Sequence, residues 1–405
     1  MKLKLAKDML VVRNDRNTLV YNPFTNSMCI IKNELYNRLT ENEYITDDLC
    51  ASADIDKLVQ KGILIRDFKE YLDKDFARKY LGKCEQRKVC IETVYFHITQ
   101  RCNLNCIYCY NKANRDRVGE LPLNKIDQMI NIIADMNVRR IVLTGGEALL
   151  YENIYKVCTI LQEKNFFVEL LTNGVLLGEK KKILELVDHV IVSLDTIEKQ
   201  DAQRRGLNTE MLLETLRAIE KSHRHKIMIR SVISRYNEES VQQVKKFCED
   251  NSYEFLPSVY IPNSLEEVAN MPARMICAAN EEHGDICSIG AKYCGGGYHE
   301  LALDVNGDIY PCQMLVKNEF KMGNIFELPH GKIEISAVNE QFMKRKITEV
   351  EECKDCQYKY LCGGGCPAVS YMLFGQLNTA PKPVCNYLKY DIDKKLERVL
   401  NEYGF

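Results

Sequence analysis

Three cysteines, Cys102, Cys106 and Cys109, share the stretch Arg101-Cys102-Asn103-Leu104-Asn105-Cys106-Ile107-Tyr108-Cys109-Tyr110. Thiolates are soft ligands that select iron–sulfur clusters, zinc or cuprous ion. A structural zinc site normally closes with four ligands in paired short spacings, and this loop offers neither a fourth Cys nor a His. Three thiolates leave a four-iron cluster one protein ligand short, and an incomplete cluster can hold a substrate. The preceding run, Val94-Tyr95-Phe96-His97-Ile98, reads as a strand, so the loop lies where a strand ends.

The elements around this loop follow a regular order. Apolar runs at 94–98, 141–143, 167–171, 190–194, 227–233 and 255–260 predict six strands, and helical stretches at 125–136, 154–163, 181–186, 210–221 and 239–250 fall between them. That βα repetition implies a parallel sheet with helices outside, and ligands then bind at the carboxyl ends of the strands. The second strand ends in Thr144-Gly145-Gly146-Glu147, where two glycines let a ligand lie against backbone and Glu147 can accept from an ammonium group. The third ends in Thr172-Asn173-Gly174 and the fourth in Ser193-Leu194-Asp195. Asn173 and Asp195 suit ribose hydroxyls, and they suit turn and cap chemistry nearly as well.

The C-x3-C-x2-C loop, with Gly145-Gly146-Glu147 following one strand later, resembles the signature of the radical SAM enzymes. The resemblance implies a partial (β/α)6 barrel in which Cys102, Cys106 and Cys109 hold three irons of a 4Fe-4S cluster. S-adenosyl-L-methionine would chelate the fourth iron, with Gly145, Gly146 and Glu147 binding its amine. Ser193 and Arg205, or the adjacent Arg204, would surround its ribose and carboxylate. Tyr108 is expected near the adenine, or else in the core. One electron, from a donor such as flavodoxin or ferredoxin, would cleave the cofactor to a 5′-deoxyadenosyl radical that takes a hydrogen atom from an unreactive carbon.

After Cys277 the βα rhythm gives way to turn residues and cysteines: Cys287, Cys294, Cys312, then Cys353-x2-Cys356-x5-Cys362-x3-Cys366, and Cys385. A zinc ribbon would explain Cys353 and Cys356 but not the later spacings. The series, with Gly307 between Cys294 and Cys312, resembles the SPASM domain. That resemblance implies two auxiliary 4Fe-4S clusters, making three in all. The first would use Cys294, Cys312, Cys366 and Cys287, with Cys277 a competitor for the last place or the iron left open. The second would use Cys353, Cys356, Cys362 and Cys385. Asp304 to Asp308 reads as a hairpin turn that sets the reach between Cys294 and Cys312.

Residues 1–85 read as three short strands, two helices and a final strand, the order of a winged helix-turn-helix. Fifteen Lys and Arg there meet fourteen Asp and Glu, too little surplus positive charge for a DNA-binding face. Tyr21-Asn22-Pro23 and Lys61-Gly62-Ile63-Leu64 make the segment similar to the PqqD-like RiPP recognition element, which captures a precursor's leader peptide by strand addition. The expected division is therefore 1–85 winged helix, 86–270 radical SAM barrel, 271–390 SPASM domain and 391–405 a C-terminal helix that caps the fold. Over 405 residues the net charge is −2, no apolar run is long enough for a membrane span or export signal, and eighteen cysteines argue for metal in a reducing compartment. The sequence thus predicts a cytoplasmic maturase of a ribosomally made peptide, bound through its leader, with no nucleic-acid or membrane partner. The expected product is an intramolecular crosslink, foremost a cysteine thioether. The competing readings are carbon–carbon crosslinking or another oxidative modification, anaerobic sulfatase maturation, and a redox-responsive winged-helix regulator.

Overall fold

The computed structural model of the protein describes residues 3–6, 9–22, 25, 27–42, 44–45, 52–65, 89–112, 119–273, 294–328 and 337–403. Three strands open the chain, β1 (Lys4–Leu5), β2 (Leu10–Arg13) and β3 (Asn17–Asn22), followed by β4 (Ser27–Lys32), α1 (Asn33–Glu41), α2 (Ser52–Gln60) and β5 (Leu64–Ile65). Strands β2, β3 and β4 form an antiparallel meander with β3 in the middle, and β1 pairs with β5. Side chains alternate faces along a strand. Val20 of β3 packs with Leu39, Leu58 and Ile63 of the helical layer, whereas Leu19 and Tyr21 face the opposite way. A strand apolar on both faces needs two covers.

The barrel strands are β6 (Thr93–Thr99), β8 (Arg140–Gly145), β9 (Phe167–Thr172), β10 (His189–Ser193), β12 (Ile227–Ile233) and β13 (Glu254–Val259). Two short strands in the loops, β7 (Asn105–Cys106) and β11 (Arg204–Arg205), pair with each other. The helices between are α3 (Leu123–Asp135), α4 (Ile154–Glu163), α5 (Ile183–Leu186), α6 (Thr209–Arg217), α7 (Lys221–Arg224) and α8 (Val241–Asn251). All six barrel strands run parallel to their barrel neighbours, as the sequence predicts. One face of each strand, such as Phe96 and Ile98 or Ile141 and Leu143, packs against helical seams like Ile126, Met129, Ile130 and Ile133. That i, i+3, i+4, i+7 seam stabilises by roughly 1.5–3 kcal/mol for each fully buried side chain.

The sheet does not stop where the βα rhythm does. Strand β14 (Glu300–Leu303) adds in parallel to β6, and β15 (Ile309–Tyr310) pairs antiparallel with β14, giving the order β13-β12-β10-β9-β8-β6-β14-β15. The expected turn at Asp304 is present. Its carboxylate accepts from the amides of Asn306 (2.9 Å) and Asp308 (3.0 Å), and Gly307 adopts φ +81°. The remaining helices are α9 (Ala337–Met343), α10 (Lys359–Cys362), α11 (Pro367–Phe374) and α12 (Lys382–Tyr403). The last is 22 residues long and starts well before position 391, because Pro383 in its first turn is compatible with helix initiation. Its Ile392, Leu396, Val399 and Leu400 supply the second cover for Leu10, Leu19 and Tyr21. Among the described residues, no helix is long and apolar enough to cross a membrane.

Candidate active site

A cavity of about 580 Å³ opens at the carboxyl ends of the barrel strands. Cys102, Cys106, Tyr108 and Cys109 line it from the first loop, and Gly145, Gly146, Glu147, Asn173 and Ser193 from the next three strand ends. Leu256 to Val259, Ile261 and Asn263 close the side beyond β12, and Gln313 and Met314 enter from the segment after Cys312.

The cysteine loop is held from three directions. The β7–β11 pair sets Cys106 opposite Arg204 and Asn105 opposite Arg205, and the Ile107 amide donates to the Gln203 carbonyl at 2.9 Å. The Asn173 amide nitrogen Nδ2 donates to Asn103 Oδ1 at 2.7 Å. The amides of Gly146 and Glu147 donate to the carbonyls of Thr99 and Arg101, each at 2.8 Å. This last contact gives the glycines a second reason to be there. A Cβ at Gly145 (φ +134°) would lie 2.1 Å from the Thr99 carbonyl oxygen, and one at Gly146 2.2 Å from that of Arg101. Only a backbone without side chains lets the two strand ends approach so closely.

Glu147 is buried, and its carboxylate accepts from Leu149 N (3.0 Å), Thr172 Oγ1 (2.7 Å) and Asn173 N (2.7 Å). A carboxylate has about four acceptor sites, so one remains for an ammonium group. Burial raises its pKa, and these hydrogen bonds pull the other way. Tyr108 donates to Asp195 Oδ2 at 2.6 Å, and Asp195 Oδ1 accepts from Val232 N at 2.8 Å. Asp195 is fully buried, which pushes its carboxyl up to about 6 against the opposing charge of Arg204. It braces Tyr108 from behind the cavity wall and does not line the cavity. The Tyr108 ring meets Tyr260 edge-on at 6.4 Å.

Between the two candidate arginines the fold makes a choice. Arg204 is buried, lines the cavity and donates to the carbonyls of Ser193 and Asn173. Burial works against its charge, but Tyr108, Asp195 and Cys106 nearby hold it firmly protonated. Arg205 is exposed and lies away from the cavity lining. In a strand, adjacent side chains point to opposite faces, so one-residue register decides which arginine enters.

The downstream cysteines line two further cavities. Cys294, Cys362 and Cys366 border one of about 320 Å³, and the buried Cys312 lies within the electrostatic reach of Cys294 and Cys366. Cys353, Cys356, Cys362 and Cys385 border another, of about 550 Å³. Cys287 lies outside the described residues. Between Cys362 and Cys366, Gly363, Gly364 and Gly365 all take left-handed φ of 64–76°, which turns the Gly364 amide onto Cys362 Sγ at 3.2 Å. The sequence shows only the x3 spacing; this backbone wrap explains why glycine fills it. Among the described residues no three His, Cys, Asp or Glu groups converge on a point that would hold one ion. Thiols set around cavities fit a cluster in which each sulfur meets its own iron. Burial pushes the Cys106 and Cys353 thiols up to about 11, so metal loading must release protons.

Four residues emerge only from the tertiary structure. Arg230, next to Ser193 in the β10–β12 register, lines the cavity with no ion pair among the described residues. Arg345 donates to the carbonyls of Gly363, Gly364 and Thr379 and stands within reach of both auxiliary thiol sets. The Tyr110 hydroxyl meets Gln313 Oε1 at 3.2 Å, joining the residue after Cys109 to the residue after Cys312. No local motif marks these contacts, since each partner is distant in sequence.

Comparison with known proteins agrees with this geometry. The radical SAM superfamily model matches residues 96–248, and the SPASM iron–sulfur cluster-binding domain matches residues 294–357. The chain is 24% identical to an uncharacterized protein of Archaeoglobus fulgidus, over 75% of this chain and 80% of that one. It is also 24% identical to the antilisterial bacteriocin subtilosin biosynthesis protein AlbA of Bacillus subtilis, over 66% of each. Among solved structures, Streptococcus suis SuiB bound to precursor peptide SuiA aligns with a TM-score of 0.59 at 17% identity, covering 95% of this chain and 100% of that one. At such identity the likeness shows a shared fold.

Proposed function

Because the chain is a radical SAM enzyme with a SPASM iron–sulfur domain, we propose that it matures a ribosomally synthesised peptide, captured by its leader and crosslinked within the core. The observation that carries this reading is the N-terminal module. Its meander ends in the outer strand β4, which pairs only with β3 among the described residues and borders a groove of about 790 Å³. An extended peptide can add to such an edge, gaining affinity from main-chain hydrogen bonds and selectivity from side-chain pockets. Two similar proteins support the same class: SuiB was solved with a precursor peptide, and AlbA is named for bacteriocin biosynthesis.

On this reading residues 1–85 are a PqqD-like recognition element, 86–270 the catalytic barrel, and the cysteine-rich remainder to about 390 the auxiliary-cluster domain. Cys102, Cys106 and Cys109 would hold the catalytic cluster. Cys294, Cys312 and Cys366, with Cys287, would hold one auxiliary cluster, and Cys353, Cys356, Cys362 and Cys385 the other. Bound S-adenosylmethionine, together with the cluster, would supply a carbon radical able to take hydrogen from an unactivated C–H bond. The protein's part is placement. Glu147 offers its remaining acceptor site to the cofactor amine, and Arg204 and Arg230 offer positive charge for its carboxylate. Tyr108, fixed by Asp195, presents its ring to the adenine. Leu256 and Val259 give the opposite side an apolar wall against which a peptide side chain can lie dry.

The crosslink proposed is a thioether: one C–H and one S–H bond break, one C–S bond forms, and the peptide loses two hydrogens. Removing two hydrogens leaves one electron beyond the abstracted hydrogen atom and the thiol proton, and the auxiliary thiol cavities are where an acceptor would sit. Anaerobic reconstitution with candidate short, Cys-containing peptides drawn from neighbouring reading frames tests the proposal. The expected product is lighter by two hydrogens, and tandem mass spectrometry should place the new bond on a Cys sulfur. Release of deoxyadenosine with an unchanged peptide mass would sink the crosslinking claim. A carbon–carbon bond in the fragments would replace thioether by the other crosslink.

A further inference from the structure

The groove beside β4 is not built by the N-terminal module alone. One wall is α2 and the turn that follows it, which present Lys57 and Lys61 respectively; the other is the end of the last helix, which presents Val399 and Tyr403. Leu35 of α1 and Leu58 of α2 add apolar lining. Tyr403 is 55% exposed, an unusual position for a large aromatic residue at the rim of a cavity. Three lysines, Lys32, Lys57 and Lys61, face the groove against one carboxylate, Asp54.

The backbone of β4 gives the direction. Lys61 Nζ donates to the Met28 carbonyl at 2.6 Å, so that carbonyl points away from β3. In an antiparallel ladder the carbonyl direction alternates, and those of Ile30 and Lys32 therefore point into the groove as well. A strand added here would compete with Lys61 for the Met28 carbonyl and free its ammonium for a carboxylate, an ion pair in place of a bond to a neutral carbonyl. Side chains of that strand alternate as those of β4 do. Cys29 and Ile31 lie on the α1–α2 side, and Met28 and Ile30 on the side of the last helix.

We infer that the groove accepts an extended segment alternating acidic and apolar residues, the acids toward Lys57 and Lys61 and the apolar side chains toward Val399 and Tyr403. The inference rests on the leader-binding reading and specifies its chemistry. It also makes the recognition site composite, because the last helix, 22 residues long, supplies the apolar wall.

The test uses the full chain and fluorescein-labelled synthetic peptides of alternating Leu and Glu, with Leu/Gln and Leu/Lys counterparts, followed by anisotropy. The Leu/Glu peptide is expected to bind roughly tenfold tighter than Leu/Gln at low salt, with the gap narrowing as salt rises. The double variant Lys57→Glu, Lys61→Glu should reverse the preference toward Leu/Lys. Tyr403→Ala should weaken Leu/Glu and Leu/Gln alike. Equal, salt-insensitive binding of Leu/Glu and Leu/Gln, or unchanged binding by Tyr403→Ala, overturns the inference while leaving leader capture standing. If no peptide binds and hydrogen exchange shows no added protection at the β4 amides, leader capture at this edge fails too.

Discussion

His97 shows how one side chain's environment sets its chemistry. It is fully buried on β6, neither ring nitrogen has a hydrogen-bond partner among the described residues, and Tyr110 meets it edge-on at 6.3 Å. Burial pulls its pKa from 6.5 down to about 4, so the neutral ring is the folded form. The unfolded chain takes up the proton first as pH falls. The neutral ring's contribution is therefore complete above pH 6.5 and is lost as pH falls toward about 4, a change of about 3 kcal/mol. His97→Leu should flatten the acid limb of a urea-midpoint profile relative to the unsubstituted protein. Parallel profiles would show that His97 does not titrate on unfolding. The sequence gives no sign of this role, since a His within an apolar run reads the same whether it is partnered or not.

At the scale of elements, the central feature is the clamp on the cysteine loop. The order of strands and loops is legible from periodicity, and so is the placement of Cys102, Gly145, Asn173 and Ser193 at strand ends. The β7–β11 pairing is not, because it joins Cys106 to Arg204 across nearly a hundred residues. Removing Arg204 takes away a charged donor to two carbonyls and the cation nearest Asp195. Arg204→Ala should cost about 3 kcal/mol and lower iron retained after reconstitution, whereas Arg205→Ala should stay within about 0.5 kcal/mol. Iron content with thermal unfolding distinguishes them. Equal losses in both variants would refute the assignment of the inward arginine.

Over the whole molecule, the three parts share surfaces that their sequences do not announce. Strand β14 extends the barrel sheet, so the hairpin carrying Cys312 at its end is expected to unfold with the sheet edge it completes. The last helix starts beside the Cys385 cavity and ends at the N-terminal groove, with Tyr358 of the auxiliary region bonded to Asp393 midway at 2.9 Å. Leu303→Asp, placing a charge in the barrel core cluster, should therefore lower stability by more than about 3 kcal/mol. It should also shift barrel and hairpin protection together in hydrogen exchange. Loss of protection confined to residues 300–310 would show that the hairpin folds separately.

The sequence alone determined the chemistry and the sheet. Thiol spacing chooses iron over zinc by ligand count, and continuous apolar runs alternating with amphipathic stretches of 3.6-residue period choose parallel strands with outer helices, because both are properties of short stretches of chain. Tertiary structure decided what depends on register and on partners far away. It turned Arg204 inward and Arg205 outward, assigned Gly145 and Gly146 to a close backbone contact, added β14 to the barrel edge and brought the last helix to the β4 groove. Such contacts follow from which surfaces remain apolar once each element has formed, and that is fixed only when all the elements pack at once.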